Sequence, residues 1–422
     1  MKYKKSKYNY FVPYEDNQTI LYNFYSNLTS LFDEDTLRRY NEDLLTDEEQ
    51  EELYKRGFLI DNDRDELEEI NSKRLQENLY DNNKLYRVWT TSGCNARCFY
   101  CFEKDIKVET LNDERCDKVI EYITNNIEEG NNVTIEWFGG EPLLNVKAIE
   151  KITKAVKAVC EQKHAKYNSL FITNGSLITP EIVEKMDNEW NVRNIQITLD
   201  GSEEAYNKIK DYYNPGKDNF QKVIDNIMLL KNRKFNVSIR LNYTEDNYED
   251  IIEVIRFIGP KLQDAKNVIA YVYPIWSTLN EESTNKFISK VHADENILKI
   301  FEEIIKYNLN TVKRLVRINR KLMSCKSCNK NSCTILPSGN ISKCSESFNK
   351  LYGSVYNGIT DKEGYEAWST HTIDEECKDC VFMPICQGGC EASKYTNMPK
   401  CFAYKPIIDD ILIWYVNWLQ HK

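Results

Sequence analysis

The sequence contains little glycine and no long apolar run. Only 15 of its 422 residues are glycine, and no repeat or low-complexity tract is present, which leaves no obvious flexible linker between domains. No segment approaches the ~20 consecutive apolar residues that a membrane-spanning helix needs. The start, Met1-Lys2-Tyr3-Lys4-Lys5, has no apolar stretch behind it of the kind that a secretory signal requires. The sequence therefore predicts a cytoplasmic protein with no membrane partner.

Histidine is also scarce, and acidic residues outnumber basic ones. The four histidines do not pair at metal-binding spacing, and no Ser/His/Asp nucleophile system is visible. They are His164, His292, His371 and His421. Lysine and arginine number 56 against 66 aspartates and glutamates, which gives a net charge of −10. Because a nucleic-acid groove needs clustered basic residues, this balance argues against a nucleic-acid partner. It suits a basic peptide or simply solubility.

Cysteine, by contrast, is abundant, with 14 residues. In a cytoplasmic chain, cysteines are better interpreted as metal ligands than as disulfides. Cys94, Cys98 and Cys101 lie on one short loop with the spacing C-x3-C-x2-C. Three thiolates suit an iron–sulfur cluster, and on a four-iron cluster they leave one iron open to a substrate or cofactor. A zinc loop or three buried thiols fits less well, because structural zinc wants four ligands, usually in two separated pairs.

This loop, with Tyr100 directly before its third cysteine, resembles the signature loop of the radical S-adenosylmethionine (radical SAM) enzymes. The resemblance implies that the three cysteines hold a catalytic 4Fe–4S cluster and that Tyr100 contributes to cofactor binding. It further implies that the amine and carboxylate of SAM bind the open iron. A 5′-deoxyadenosyl radical then abstracts a hydrogen atom from the substrate.

From Leu85 onward, strands and helices alternate, a pattern typical of parallel strands with crossover helices. Six predicted strands cover Leu85–Thr91, Val133–Phe138, Ser169–Thr173, Asn194–Leu199, Val237–Asn242 and Val268–Tyr273. Six such units make a partial (β/α)6 barrel, the α/β fold that the resemblance also implies. The cysteine loop would then follow the first strand, at the C-terminal mouth where such barrels carry their chemistry.

The second predicted strand ends in Trp137-Phe138-Gly139-Gly140-Glu141-Pro142. Two glycines after a strand let the backbone come close to a ligand. Taken alone, the stretch fits an ordinary strand–helix turn. Following the cysteine loop, however, Gly139, Gly140 and Glu141 are similar to the family's Gly-Gly-Glu-Pro motif, which holds the methionyl amine of SAM.

The third and fourth predicted strands end in polar residues that are further candidates for cofactor binding. Asn174 lies in Thr-Asn-Gly, and Thr198 and Asp200 lie in Thr-Leu-Asp-Gly. Both stretches are similar to family motifs, and polar groups there would contact the ribose or the methionyl carboxylate. Relatives often carry His-Asp and then Arg downstream, where this chain has Tyr206-Asn207-Lys208-Ile209-Lys210. This departure leaves open which residue, Lys210 among them, meets the carboxylate.

The last hundred residues hold a second group of nine cysteines, whose spacing around Gly339 matches the SPASM extension with its auxiliary four-iron clusters. By the family's pattern, one cluster is held by Cys325, Cys328, Cys344 and Cys390, and the other by Cys377, Cys380, Cys386 and Cys401. Cys333 lies in a strand-like run and is interpreted as packing, although it and Cys325 could exchange roles. The alternative is two zinc sites, since C-x2-C pairs are common zinc knuckles.

Two further cysteines and the C-terminal end are interpreted as structural. Cys116 and Cys160 share helical stripes with apolar residues, so both are predicted to be buried. Ile407 to Leu419 contains an apolar helical stripe. Because few basic residues flank it, docking on the protein's own core fits this stripe better than a membrane surface.

Three domains are predicted: an N-terminal α+β domain (1–80), a radical SAM partial barrel (81–310), and a Cys-rich SPASM domain with a C-terminal helix (311–422). In the first, strand-like runs at Tyr8–Val12 and Thr19–Asn23 predict a hairpin, and Thr46-Asp47-Glu48-Glu49 predicts a capping box. An exposed strand edge there can accept an extended peptide. The domain is therefore either a precursor-recognition module or a packing lid.

The resemblance implies a maturase of a ribosomally made precursor peptide that forms a thioether or carbon–carbon cross-link. Its cofactors would be SAM and three 4Fe–4S clusters, with an auxiliary cluster taking the second electron. Its partners would be the precursor peptide and an electron donor such as flavodoxin or ferredoxin. A sulfatase-maturating enzyme is the second hypothesis, but those relatives carry Asp where Ser345 follows Cys344 here. A non-catalytic zinc or peptide-binding scaffold is the third.

Overall fold

A computed structural model describes residues 2–104, 106–214, 216, 218–244, 246–275, 294–322, 325–396 and 398–421, so that His292 lies outside the described residues. The N-terminal segment contains five strands and three helices. They are β1 (Lys4–Lys5), β2 (Asn9–Pro13), β3 (Thr19–Asn23), β4 (Leu28–Phe32), α1 (Glu34–Asn41), α2 (Asp47–Lys55), β5 (Leu59–Ile60) and α3 (Glu66–Tyr80). Strands β2, β3 and β4 form an antiparallel sheet, and β1 pairs with β5.

The predicted hairpin is present as β2 and β3, but the sheet also contains a third strand. Asn27 takes a positive φ of 59° and turns the chain into a third strand, β4, which the sequence analysis did not predict. The predicted capping box is confirmed. Thr46 accepts a hydrogen bond from the Glu49 backbone, and the Glu49 carboxylate accepts one from the Thr46 backbone.

The central part of the chain alternates strands with helices, as predicted. The strands are β6 (Asn83–Thr91), β7 (Asn132–Gly139), β8 (Lys166–Thr173), β9 (Val192–Thr198), β10 (Asn236–Tyr243) and β11 (Val268–Pro274). The helices are α4 (Asp113–Asn125), α5 (Val146–Gln162), α6 (Pro180–Asn188), α7 (Glu203–Lys210), α8 (Asn219–Leu230) and α9 (Tyr248–Leu262). All six strands pair in parallel with their neighbours, so their carboxyl ends share one edge of the sheet.

Burial explains why these segments form strands and helices. In β8, every second residue from Tyr167 to Thr173 is buried, which is the two-residue period of a strand. In α4 and α5 the buried residues follow the helical period. They include Cys116 and Cys160, which are 2% and 1% exposed, so the prediction that both pack as small apolar residues is confirmed.

The C-terminal part adds four strands to the same sheet. Its elements are α10 (Asn296–Lys306), α11 (Val312–Leu315), β12 (Ser332–Ile335), β13 (Asn340–Ser342), β14 (Leu351–Ser354), β15 (Gly358–Ile359), α12 (Lys362–Thr370), α13 (Glu375–Lys378), α14 (Met383–Cys386) and α15 (Ile408–Gln420). The complete order is β11-β10-β9-β8-β7-β6-β12-β13-β14-β15. Strand β12 pairs in parallel with β6, whereas β13 to β15 are antiparallel. The fold is therefore α/β with one large, mostly parallel sheet.

Helix α15 docks on the N-terminal sheet. Its residues Ile411 and Leu412 are fully buried, and the Tyr10 hydroxyl donates to Asp409 over 2.7 Å. The apolar stripe predicted for this helix thus packs against the chain's own core. Within the part of the chain that the structure describes, we find no helix long and apolar enough to cross a membrane.

Candidate active site

The loop that carries Cys94, Cys98 and Cys101 begins where β6 ends, at the sheet edge formed by the carboxyl ends of the parallel strands. The Ser92 backbone N–H donates to the Glu109 carbonyl over 2.9 Å, and the Glu109 N–H donates to the Ser92 hydroxyl over 2.8 Å. These two bonds hold the ends of the loop together, and all three cysteines are half-buried.

The chemistry of these thiols fits an iron–sulfur cluster. Burial raises the pKa of the Cys94 thiol to about 12 and also raises the pKa values of Cys98 and Cys101. A bound metal would favour the thiolates instead. Among the described residues, no three Cys, His, Asp or Glu side chains converge on a point that would hold a single metal ion. A four-iron cluster places each thiolate on a different iron and does not need such convergence.

The two glycines after β7 allow the chain to pack tightly against the cysteine loop. A Cβ on Gly139 would lie 2.1 Å from the Thr91 carbonyl oxygen, and one on Gly140 would lie 2.3 Å from that of Gly93. The Gly140 N–H donates to Thr91 and the Glu141 N–H donates to Gly93, both over 3.0 Å. The sequence predicted that this turn approaches a ligand closely. In the structure, the turn makes its close approach to the backbone of the cysteine loop.

Glu141 is fully buried, and its carboxylate accepts three hydrogen bonds from the protein. The donors are the Thr173 hydroxyl at 2.7 Å and the backbone N–H groups of Asn174 at 2.8 Å and Leu143 at 3.1 Å. Burial raises the pKa of Glu141, and these hydrogen bonds oppose that shift. Glu141 thus ties the glycine turn to the end of β8.

Asn174, at the end of β8, faces the cysteine loop. Its Nδ2 donates to Asn95 Oδ1 over 2.8 Å and lies 3.8 Å from the Cys94 sulfur. Asn95 in turn donates to the Ser176 hydroxyl over 2.9 Å. The predicted residue therefore lies beside the cysteines, in a hydrogen-bond network that fixes the first half of the loop.

Tyr100, Thr198 and Asp200 meet in a buried network around Lys210. The Lys210 ammonium lies 2.7 Å from the Asp200 carboxylate and donates to the Thr198 hydroxyl over 2.7 Å. The Tyr100 hydroxyl donates to Asp200 over 3.0 Å, and Asn242 Nδ2 donates to Asp200 over 2.7 Å. Burial opposes the charge of Lys210, but Asp200 and then Cys98 raise its pKa above the ordinary value.

The end of α7 also clasps the cysteine loop through the backbone. The Arg97 N–H donates to the Lys210 carbonyl over 2.8 Å, and the Arg97 guanidinium lies 2.7 Å from the Asp211 carboxylate. The Tyr213 N–H donates to the Asn95 carbonyl over 3.0 Å. The stretch in which this chain departs from the family's pattern therefore supports the loop directly.

An aromatic cluster, formed by Trp89, Phe102, Phe138 and Phe348, lies beside the loop. The Trp89 ring centroid is 6.3 Å from that of Phe102, 5.6 Å from Phe138 and 5.7 Å from Phe348. Phe348 belongs to the C-terminal part, so this cluster joins the cysteine loop to the cysteine-rich segment. Rings of this kind provide an apolar lining for a bound ligand.

Two carboxylates lie close in sequence to rings of the aromatic cluster, because Glu103 follows Phe102 and Glu346 lies two positions before Phe348. Burial raises the pKa of Glu346 to about 7, while Arg240 and Arg87 oppose the shift. Burial also raises the pKa of Glu103, and the charge of Glu346 adds to that shift. One oxygen of Glu103 has no hydrogen-bond partner among the described residues. The charge of Glu346 therefore acts on Glu103, and the sequence had indicated no function for either residue.

Several of the C-terminal cysteines lie close enough to affect one another's pKa values. Burial raises the pKa of Cys390, and the nearby thiol of Cys325 adds to the effect. Burial raises the pKa of Cys386 to about 11, with Cys401 and Cys377 adding to it. A cavity of about 280 Å³ is lined by Cys325 and Cys390 from one set and Cys386 and Cys401 from the other. Cys333 is buried in β12, away from that cavity lining.

Three residues of this site were not predicted from the sequence: Asn242, Glu103 and Phe348. Asn242 lies near the end of β10, as Asn174 follows the end of β8, so the rule that polar residues at strand ends face the site would have found it. Glu103 and Phe348 carried no such signal, because each depends on a contact between the cysteine loop and a segment more than two hundred residues away.

The chain is similar to known proteins in sequence and in structure. Residues 89–258 match the model of the radical SAM superfamily. The chain contains a radical SAM domain and is an enzyme. It is 24% identical over 402 residues to the radical SAM cyclopropyl synthase TigE of Paramaledivibacter caminithermalis, covering 85% of this chain and 80% of that protein. It is 25% identical over 348 residues to the cysteine-type anaerobic sulfatase-maturating enzyme of Clostridium novyi, covering 74% and 88%.

Solved structures show the same fold. The structure of anSMEcpe with bound AdoMet has a TM-score of 0.60 and 18% identity, and the match covers 80% of this radical SAM chain and 94% of that one. Streptococcus suis SuiB bound to S-adenosylmethionine has a TM-score of 0.51 and 15% identity, covering 92% and 96%. The predictions of the family and of an enzyme are confirmed.

Proposed function

We propose that this enzyme is a radical SAM maturase that abstracts a hydrogen from a precursor peptide and forms a thioether or carbon–carbon cross-link. The observation that carries the proposal is the pairing of β12 with β6. It sets the cysteine-rich segment beside the strand that leads into the cysteine loop, with the aromatic cluster between them. A peptide side chain lying on these rings would be close to both groups of cysteines.

Cys94, Cys98 and Cys101 would hold one 4Fe–4S cluster. Gly139, Gly140, Glu141, Tyr100, Asn174, Thr198 and Asp200 would form the surroundings of SAM. When bound, the clusters and SAM supply hydrogen abstraction by a 5′-deoxyadenosyl radical and an acceptor for one electron. In the structure, Glu141 and the Lys210 network hold the loop and the strand ends in fixed positions, so that cofactor and substrate would meet in one orientation.

Two auxiliary clusters form part of the proposal. Cys325, Cys328, Cys344 and Cys390 would hold the first, and Cys377, Cys380, Cys386 and Cys401 the second. The effect of Cys325 on the pKa of Cys390, and of Cys401 and Cys377 on that of Cys386, supports this division. Cys333 is 3% exposed within a paired strand, which favours Cys325 as the fourth ligand of the first cluster.

The N-terminal segment is proposed to recognise the precursor. Strand β4 has no partner on its outer side among the described strands. The Thr29 carbonyl on that side accepts a hydrogen bond from Arg56, so Thr29 and Leu31 direct their backbone groups away from β3. An extended peptide could pair with this edge as a fourth strand. Residues 1–80 as a whole also pack on the rest of the chain, through Asn78 and Ser369 for example.

Formylglycine formation is the second candidate function. The match to the Clostridium novyi sulfatase-maturating enzyme, which covers 88% of that protein, favours it. In addition, anSMEcpe has been solved with bound AdoMet and the Kp18Cys peptide. Against it, Ser345 follows Cys344 here, and its hydroxyl is engaged by Arg87 at 3.2 Å. The nearest carboxylate in sequence is Glu346, one position later.

One experiment separates these functions. The anaerobically reconstituted enzyme would be given SAM, a reductant and either a precursor peptide from a neighbouring reading frame or a cysteine-containing sulfatase peptide. Cross-linking removes two hydrogen atoms from the peptide, one as the abstracted atom and one as a proton and an electron. Formylglycine formation from cysteine removes the sulfur. Mass spectra that show loss of two hydrogens and retention of sulfur would support the maturase, whereas loss of sulfur would support the second candidate.

A further inference from the structure

Lys343 is a fully buried cation that lies directly before Cys344, and its side chain is 1% exposed. Its ammonium donates to the backbone carbonyls of Asn329 over 2.7 Å and Ser332 over 2.9 Å, and it lies 4.1 Å from the ring centroid of Tyr365. In the described part of the chain it forms no ion pair with a carboxylate, and its two carbonyl partners lie next to cysteines, since Asn329 follows Cys328 and Ser332 precedes Cys333.

Arg74, in α3, is a second buried cation and is also 1% exposed. Its guanidinium contacts His371 and Asn71 at 2.8–2.9 Å, but its Nε has no hydrogen-bond partner among the described residues. Burial lowers the pKa of Arg74, and the Cys328 thiol and then Glu391 oppose that shift. Glu391 lies 2.9 Å from the ammonium of Lys394.

Both cations therefore lie near Cys328, a predicted ligand of the first auxiliary cluster that is itself fully buried. Lys343 donates to the carbonyl of Asn329, directly after Cys328, and Asn329 Nδ2 donates to the Glu77 carbonyl of α3 over 3.3 Å. Burying a charge without a counter-charge is costly, so such groups are normally paired or matched by a bound ion. Neutral thiols do not balance two positive charges. Thiolates bound to a four-iron cluster would, since each thiolate is negative and the ligated cluster as a whole carries negative charge.

We infer that Lys343 and Arg74 are the electrostatic partners of a cluster held by Cys325, Cys328, Cys344 and Cys390, and that they raise its reduction potential. Reduction adds negative charge to the cluster, and two nearby cations stabilise the reduced state more than the oxidised state. The inference rests on the proposed function for the presence of that cluster. It gives α3, an element of the N-terminal segment, a role in tuning a site in the C-terminal part.

The test uses the full chain with Cys94, Cys98 and Cys101 replaced by Ala and reconstituted anaerobically, so that only auxiliary clusters hold iron. Their potentials would be measured by redox titration followed by EPR, together with iron content. In Lys343→Met and Arg74→Met, one of the two potentials should fall, with a change of about tenfold or more in the one-electron equilibrium constant, or ~59 mV. Arg74→Lys, which retains the charge, should restore most of the shift. Lys350→Met, an exposed control in the same part of the chain, should leave both potentials unchanged.

The outcomes are distinct. Full iron content with unchanged potentials in Lys343→Met and Arg74→Met overturns the inference and leaves the proposed function intact. Loss of one cluster's iron in Arg74→Met but not in Arg74→Lys supports it, whereas equal loss in both counts against it. Absence of iron from the triple-cysteine background overturns the inference together with the auxiliary clusters. Cleavage of SAM by the unmodified enzyme tests the catalytic site separately.

Discussion

Gly140 leaves no room for a side chain, because an added Cβ would lie 2.3 Å from a carbonyl oxygen of the cysteine loop. Backbone cannot move aside as a flexible side chain does. We therefore expect Gly140→Ala to displace the loop, at a cost of about 1–3 kcal/mol or more in stability. The purified variant should contain less iron and form less 5′-deoxyadenosine.

Gly130→Ala is the matched control. Gly130 takes a φ of +72°, so alanine is strained there by about 1 kcal/mol, but nothing lies within 4 Å of the added Cβ. That variant should keep the iron content of the unmodified enzyme. If Gly140→Ala and Gly130→Ala hold the same amount of iron, the tight packing between glycine turn and loop does not matter for the cluster.

The ion pair of Asp200 and Lys210 is the second feature at this scale. Asp200→Asn leaves a buried ammonium without its carboxylate, which should reduce the free energy of unfolding by about 3–5 kcal/mol. Asp200→Asn with Lys210→Met removes both charges and should recover much of that loss. Chemical denaturation of the unmodified enzyme, the single variants Asp200→Asn and Lys210→Met, and the double variant measures the coupling energy. Additive losses would show that the two side chains do not act as a pair.

Residue chemistry could be predicted where a short motif carries it. The three cysteines were identified by their spacing, and Gly140 and Asp200 by their likeness to family motifs. The structure brings all five residues to one sheet edge. The partners of Asp200 were not identified, since Lys210 was only a candidate and Asn242 was missed. Which residues form a buried pair depends on which strand ends become neighbours in the sheet. The linear sequence does not show that order.

At the scale of elements, the proposed recognition of the precursor rests on strand β4. Leu31→Pro removes an N–H from the outer side of β4, where proline is tolerated because the edge lacks a partner in the described sheet. We expect the affinity for the precursor peptide to fall about tenfold or more, while SAM cleavage without peptide is unchanged. Leu31→Ala keeps the N–H and should bind the peptide nearly as well as the unmodified enzyme.

Fluorescence anisotropy with a labelled precursor measures both affinities. Equal binding by Leu31→Pro and the unmodified enzyme would make the N-terminal segment a packing element rather than a recognition module. These point substitutions are sharper than deletion of residues 1–80, because Tyr8, Tyr22 and Phe24 are buried in the same core as the central sheet.

The six parallel strands and the helices between them could be predicted, because each has its own hydrophobic period. Strand β4 and the pairing of β12 with β6 could not. Ser332–Ile335 is only four residues long, and its partner lies about 250 residues earlier in the chain. Pairing over that distance is decided by packing of the whole molecule and leaves no local pattern.

At the scale of the whole molecule, one sheet joins the two groups of cysteines. Its strands run from the radical SAM region, through β6, to the cysteine-rich segment at β12 to β15. The aromatic cluster joins the cysteine loop to the cysteine-rich segment, because Phe348 packs near Trp89 and Phe102. The chain is therefore one enzyme, and its chemistry is proposed to begin at the cysteine loop after β6.

The most direct measurement of that claim is the formation of 5′-deoxyadenosine from SAM by the anaerobically reconstituted protein. The unmodified enzyme and Cys116→Ala, a control cysteine that is buried in α4, should both form it under reducing conditions. The variant with Cys94, Cys98 and Cys101 changed to Ala should form none, while it keeps the iron of the auxiliary sites. Undiminished 5′-deoxyadenosine formation by the triple variant would contradict the account.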